Sequence, residues 1–355
     1  MSEQRQAGEG PHPIGGPAAP VPSPAGGAAT GAKPGGTGAR TRRGSDLPHR
    51  IAQAPGASAE DPRSYYGQPV IKAPVWRGYI PWYFFTGGLA GASAPLAALA
   101  PDDVLARRAW SVSLGALAVS APLLIADLGR PERFHHMLRL VKVTSPISVG
   151  TWLLSATGGA VALAWTRSVL GWFPRAGGAG AGAALALGPA LSTYTSVLIA
   201  DTAVPAWHEA RRELPFVFAA SSAAAAGGAA TLVTPVDSAR VARRLAVAGG
   251  LAEVAATMVM ERRLGELGAP YRHGRPAWLM RGAKVCAVTG AGLVGTGGRR
   301  RGLAAAGGAL LVAGSALERW AIFRAGVASA QDPRYTVAPQ RRRKDARARQ
   351  AAAPA

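Results

Sequence analysis

Eight charge-poor runs, each close to the length that crosses a lipid bilayer, constrain this chain more than any other feature. They are Trp82–Ala100, Ala109–Ile125, Val149–Leu170, Gly182–Ala200, Leu214–Val236, Leu245–Met260, Gly282–Gly297 and Gly302–Phe323. About 20 predominantly apolar residues span the hydrocarbon core. Lipid offers no partner to a backbone N–H or C=O, so such a run must satisfy its own polar groups as a helix. The expected fold is therefore all-α and integral to the membrane, an eight-transmembrane-helix bundle. The sixth and seventh runs are short and Gly-rich, which leaves counts of seven or six open. A soluble Ala-rich bundle is disfavoured because most runs lack polar positions at helical spacing.

The flanks are a different material. Residues 1–60 are mostly Gly, Ala, Pro and Ser with scattered charges, and such a segment buries too little apolar surface to offset its ordering entropy. The expected organisation is a disordered tail over 1–60, the helical domain over 61–328 and a basic C-terminal tail over 329–355. The start MSEQRQAGEG lacks the apolar stretch of a signal peptide, so the first helix is expected to direct insertion. Small residues dominate the runs, and Gly87 with Gly91 offers one spacing for close helix–helix approach.

Lys and Arg bear on orientation. With eight spans, 29 of the 40 fall on the side of the termini and 10 on the other, although without the tails the loops stand at only 12 against 10. The positive-inside rule then places the termini in the cytoplasm of a multi-pass cell-membrane protein. The net charge of +21 sits mostly in tails and loops, where it favours an anionic membrane surface. No folded nucleic-acid motif accompanies it, so nucleic acid is not an expected partner.

Several chemistries are missing. None of the six His (12, 49, 135, 136, 208, 273) lies in the middle of a run, which excludes a bis-His haem held inside the bundle. The single Cys286 cannot hold an iron–sulfur cluster alone, and no metal site is expected. No phosphate-binding glycine fingerprint stands in its structural context. A redox cofactor would have to belong to a partner or diffuse in the membrane.

Polar residues concentrate in three stretches: PVWRGYIPWYFF (74–85), ADLGRPERFHHML (126–138) and STYTSVLIADTAVPAWHEARRELPFVF (192–218). Eight spans place all three on the side of the termini. Interfacial anchoring explains the Trp and Tyr, and topology explains many of the cations. Neither explains Asp127 and Asp201, because acids at span ends contribute little to topology. Intramembrane acids are costly and face a cavity or a cation. Asp127 with Arg130, and Asp201 with Arg211 or Arg212, are the expected pairs, and Glu253 and the neighbours Glu318 and Arg319 join the same set. An aromatic-lined polar pocket at the membrane edge suits an amphiphilic ring with two carbonyl oxygens and a lipid tail. Aromatic side chains would flank the ring, a Tyr or Thr hydroxyl would bond a carbonyl, and a carboxylate or His would relay protons.

The stretches WYFFTGGLAG, ADLGRPERF followed by TSPISVGTW, and YTSVLIADTAVPAWHEARRELPFVF resemble the NrfD-like membrane subunits, the polysulfide reductase membrane-subunit family, over roughly residues 65–330. The resemblance implies an eight-helix, haem-free, quinone-reactive subunit of a quinone-linked oxidoreductase, as in anaerobic respiratory electron transport. It implies a ferredoxin-type [4Fe–4S] partner, a molybdopterin-type catalytic subunit, and menaquinone or ubiquinone as the ligand. Family quinone contacts carry over to Tyr194, beside Thr195, with Tyr83 or Trp82 on the first helix; Arg130 and His135 complete the expected pocket. Asp127 and Asp201 are the expected proton-handling groups. The first helix has Ile80, Pro81, Trp82 and Tyr83 where some members place an Asn and a His, so Asp127 or His135 would take over that role. A secondary transporter or channel is the alternative, although no inverted repeat is visible in the sequence.

Overall fold

The computed structural model describes residues 69–337 except 140 and 298–299, with a few isolated positions further on. The expected N-terminal tail and most of the C-terminal tail lie outside the described residues. The long helices are α1 (Tyr79–Ala98), α2 (Asp103–Ala126), α3 (Pro146–Trp165) and α4 (Pro174–Ala200), then, after the short α5 (Pro205–Glu209), α6 (Leu214–Val233) and α7 (Arg240–Leu264). The short α8 (Ala269–Arg272) precedes α9 (Gly274–Thr296) and α10 (Arg301–Gln331). Each expected run falls within one long helix, apart from a few residues at run ends. Several helices continue past the apolar stretch into charged ends: α7 begins five residues before Leu245 and α10 ends eight after Phe323.

Local signals set the helix starts. The Asp102 side chain accepts from the Leu105 N–H at 2.9 Å and caps α2. Ser145 caps α3, and Pro146 follows at the first helical position, where a missing N–H costs nothing. Four helices are long and apolar enough to cross a membrane by length and composition: α2, α3 continued to Leu170, α4 and α6. Of the others, α7, α9 and α10 carry charges, with Arg243, Arg244, Glu253 and Glu261 in α7, whereas α1 has no charged residue but is rich in Trp, Tyr, Pro and Gly.

Helices joined by short connections pack as antiparallel neighbours: α1 on α2, α3 on α4, α6 on α7, and α9 on α10. Contacts of α1 with α4 and of α6 with α10 complete two four-helix groups, and α1, α4, α6 and α10 meet between the groups. Small residues make the close crossings. A Cβ on Gly91 would fall 2.6 Å from the Gly188 carbonyl oxygen, and one on Gly228 would fall 2.7 Å from that of Gly308. Backbones this close pack without a hydrophobic drive between helices. Gly87 is not the partner of Gly91 in this: nothing beyond its own helix's Tyr83 approaches it. Gly88 takes the role instead, against Ser222.

Candidate functional site: a cavity at the rim of the first helix group

A cavity of about 220 Å³ lies where the start of α1, the end of α2, the start of α3 and the last turns of α4 converge. Trp76, Ile80 and Tyr83 line it from the α1 side, Leu124 and Asp127 from α2 and its cap, and Tyr194 and Leu198 from α4. The loop after α2 contributes Leu128, Gly129 and Met137, and α3 contributes Ile147 and Thr151. Ile80 with Tyr83, and Tyr194 with Leu198, stand three or four residues apart, so each pair shares one helix face.

Tyr194 stands where it does because α3 has no side chain at Gly150. A Cβ there would lie 1.9 Å from the Tyr194 hydroxyl oxygen. Tyr83 is buried, and neither its hydroxyl nor that of Tyr194 has a protein hydrogen-bond partner among the described residues. Asp127 closes α2 and accepts the Arg77 backbone N–H on Oδ1 at 2.9 Å. That bond ties the segment before α1 to the end of α2. Burial pushes the Asp127 carboxyl above its ordinary value, against the Arg77 N–H and charge, which pull it down.

Trp76 is held from behind. Its ring stacks on Trp207 at 5.8 Å, and the Trp207 Nε1–H donates to the Ile322 carbonyl at 2.8 Å. Gly326 leaves room for that indole, since a Cβ would come within 1.9 Å of it. The Tyr271 hydroxyl donates to the Ala206 carbonyl at 3.1 Å, and the Ala206 N–H donates to Ser329 at 3.2 Å. The short α5 is thereby fixed to α10, and it carries the wall behind the cavity.

Of the expected site residues, Tyr83, Tyr194 and Asp127 come together in this cavity. Trp82 does not: it is 44% exposed and stands edge-on to Trp320, because one helical step from Tyr83 turns it out of the group. Thr195 is buried but faces away from the cavity, and Thr151 presents the nearby hydroxyl instead. Arg130 and His135 lie exposed in the connecting segment, where His135 contacts Phe134 and His136. Asp201 is exposed at the end of α4 and outside the cavity. The expected ion pairs are replaced by backbone contacts. Asp127 is bonded to the Arg77 N–H rather than Arg130, and Arg211 donates to the His208 carbonyl at 3.2 Å rather than to Asp201. Gly150, Thr151 and Met137 were not singled out from the sequence, although TSPISVGTW and ADLGRPERFHHML contain all three.

The second polar set forms a separate cluster. Arg319 is buried on α10 with its guanidinium 3.7 Å over the Phe218 ring. It donates to the Phe218 carbonyl and the Ser222 hydroxyl, both at 2.9 Å, and lies 3.3 Å from the Glu318 carboxylate. Ser221 bridges to Ser315 at 2.9 Å, and the buried Glu253 of α7 interacts electrostatically with Glu318 and Arg319. Among the described residues no group of His, Cys, Asp and Glu is arranged to hold a metal ion.

Residues 70–269, more than half of the chain and including every wall of the cavity, match the polysulphide reductase, NrfD family. The chain belongs to the NrfD family. No curated protein matches it. NrfD proteins are membrane subunits of oxidoreductase complexes and in general partner with iron–sulfur and molybdopterin-type subunits. With its apolar helices, this NrfD chain is a multi-pass membrane protein with a membrane-anchoring role.

Proposed function

We propose that this NrfD chain is the quinone- or quinol-interacting subunit of its complex, exchanging electrons between a partner ferredoxin-type [4Fe–4S] subunit and the membrane quinone pool. One observation carries the reading: two unpartnered phenols, a carboxylate and an indole line one small cavity at the end of the first helix group. The residues fit a quinone ring. Ile80, Leu124, Met137 and Ile147 offer apolar surface to its faces and tail, and Trp76 offers a flat aromatic wall. The Tyr83 and Tyr194 hydroxyls are donors for a carbonyl oxygen.

A bound quinone supplies two-electron, two-proton chemistry. The chain's own residues bind the ring, exclude water from its apolar side and exchange protons at the rim. Asp127 suits the proton exchange, because the Arg77 N–H fixes Oδ1 and leaves Oδ2 as the proton-exchanging oxygen. Burial has brought its proton affinity closer to neutral pH. All eight long helices serve as spans, with the termini in the cytoplasm and the partner docked on the cavity face. The loops over 127–145, 201–213 and 265–273 share that face.

An inverted-repeat transporter needs two halves of opposite sense. Here each group holds an even number of alternating helices, so both begin on the same side. The reading is tested by tagging the chain and purifying it from membranes in mild detergent. A Cys-rich iron–sulfur protein, several irons per complex and extractable quinone are expected. An iron-free chain recovered alone and without quinone, beside other complexes that survive the same treatment, would overturn it.

A further inference from the structure

A second groove, of about 570 Å³, lies between the start of α9 and the end of α10, with Gly78 at its edge. Its walls include His273, Arg275, Trp320, Phe323, Arg324 and Tyr335. None of these lines the cavity described above. We infer that this groove binds the headgroup of an anionic phospholipid, with an acyl chain running along its apolar floor.

Depth places the groove at the membrane interface. Arg301 and Arg324 stand 23 positions apart on α10, about 34 Å of helix against a hydrocarbon core of about 30 Å. Arg324 therefore stands at headgroup level. On α9 the exposed Trp278, Val285 and Val288 recur at helical spacing and form a lipid-facing stripe, with Trp278 71% exposed. Arg275 lies just beyond the outer end of that stripe. The two arginines thus mark the same interface from two helices.

Charge favours an anion in the groove. Asp332, the acid of the groove, is engaged by Arg334, whose Nη2 lies 2.8 Å from its carboxylate. That leaves Arg275 and Arg324 without a carboxylate partner among the described residues. The Arg324 guanidinium rests 5.3 Å from the Trp320 ring centre, which holds it over the groove. Uncompensated cations at a lipid interface attract anionic headgroups. On the floor, Trp320, Phe323 and Val327 give an apolar surface that a free phosphate would not use and an acyl chain would. Further along the stripe Arg281 lies 5.2 Å over Trp278, continuing the pattern of an arginine on an indole.

The test uses the detergent-purified, delipidated full complex, with binding of phosphatidylglycerol and phosphatidylcholine followed by native mass spectrometry. Phosphatidylglycerol should bind preferentially, and Arg275→Gln and Arg324→Gln should each weaken it about fivefold. Arg107→Gln, on the opposite face, should leave it unchanged. Equal binding of the two lipids, or full phosphatidylglycerol binding in the combined Arg275→Gln/Arg324→Gln variant, would sink the proposal. Displacement by inorganic phosphate alone would also overturn it, by marking a phosphate site without a lipid. Because both arginines are exposed, each single variant is expected to fold, and unchanged quinone content would show that the cavity is intact.

Discussion

The two four-helix groups manage polarity in opposite ways. In α1–α4, three helices are apolar enough to cross a bilayer unaided, and the polar chemistry sits at the rim, around Asp127 and Tyr194. In α6, α7, α9 and α10 only α6 meets that description, and Glu253, Glu318 and Arg319 lie buried inside. A charged residue at the centre of a spanning helix costs about 2.5–3.5 kcal/mol on insertion scales. The second group offsets that cost by turning its charges toward one another and toward the Phe218 carbonyl and Ser222. Hydropathy therefore reports the average composition of a helix: it picks out α6, whose apolar stretch is 67% buried, and passes over α9, which exposes Trp278, Val285 and Val288. It does not report which helices belong to the bundle.

The most severe way to break the contrast is Arg319→Met. It removes the cation that faces Glu318 and Glu253 and leaves two carboxylates buried together. Removing one member of a buried pair costs about 3–5 kcal/mol. The unfolding midpoint in detergent should drop sharply, or the protein should fail to accumulate, and adding Glu318→Gln should recover part of the loss. An unchanged midpoint would mean that the second group does not depend on its internal charges.

In the first group the matching lever is steric. Gly150→Ala places a methyl 1.9 Å from the position of the Tyr194 hydroxyl, so the ring must move. A displacement of about 1 Å at a reacting site can cost about a hundredfold in rate. Quinone-linked turnover should fall by about that factor while the complex assembles normally. In a Tyr194→Ala background the same change should cost almost nothing further, because the clash has gone. A full additional loss there would show that Gly150 matters for helix packing rather than for placing Tyr194.

Asp127→Asn probes the proton rather than the ring. The amide oxygen still accepts the Arg77 N–H, so the loop should keep its shape. Burial raises the Asp127 pKa above its ordinary 3.8. In the wild type, the proton-accepting carboxylate form is then lost as pH falls through that raised value. Turnover should show an acid limb shifted upward from the ordinary Asp value, and Asp127→Asn should flatten it while lowering the plateau about a hundredfold. An acid limb that persists in the variant would assign the titration to another group.

Much of this was legible in the sequence, and the rest was hidden for physical reasons. The all-helical fold and the positions of the long helices followed from the apolar runs, and four of those helices are apolar enough to cross a membrane by length and composition. The match of residues 70–269 to the NrfD family agrees with the resemblance carried by DLGRP, SPISVG and TAVPAWHEARRELPF. Convergence in space was less visible. Trp82 and Tyr83 are neighbours in sequence, yet a step of about 100° sends one to the bundle exterior and the other to the cavity. Asp127 was expected beside Arg130, but a main-chain donor fifty residues away reached it first. Gly150 gave no chemical signal at all, since its contribution is the volume it leaves for Tyr194.

The smallest predicted effect tests whether the rim is as sharply divided as its geometry. Asp127, Arg130 and His135 lie within nine residues of one another, but only Asp127 lines the cavity. Arg130→Ala and His135→Ala remove exposed side chains, and substitutions of that kind usually shift stability by no more than about 0.5 kcal/mol. Turnover and its dependence on quinone concentration should stay within about twofold of the wild type. If either variant instead lost turnover together with the iron–sulfur partner, at unchanged quinone content, the segment over 130–139 would be part of the dock. If quinone content fell while the partner stayed bound, the cavity would extend further along this loop than its walls show. The division between a quinone-facing Asp127 and a solvent-facing remainder would then fail.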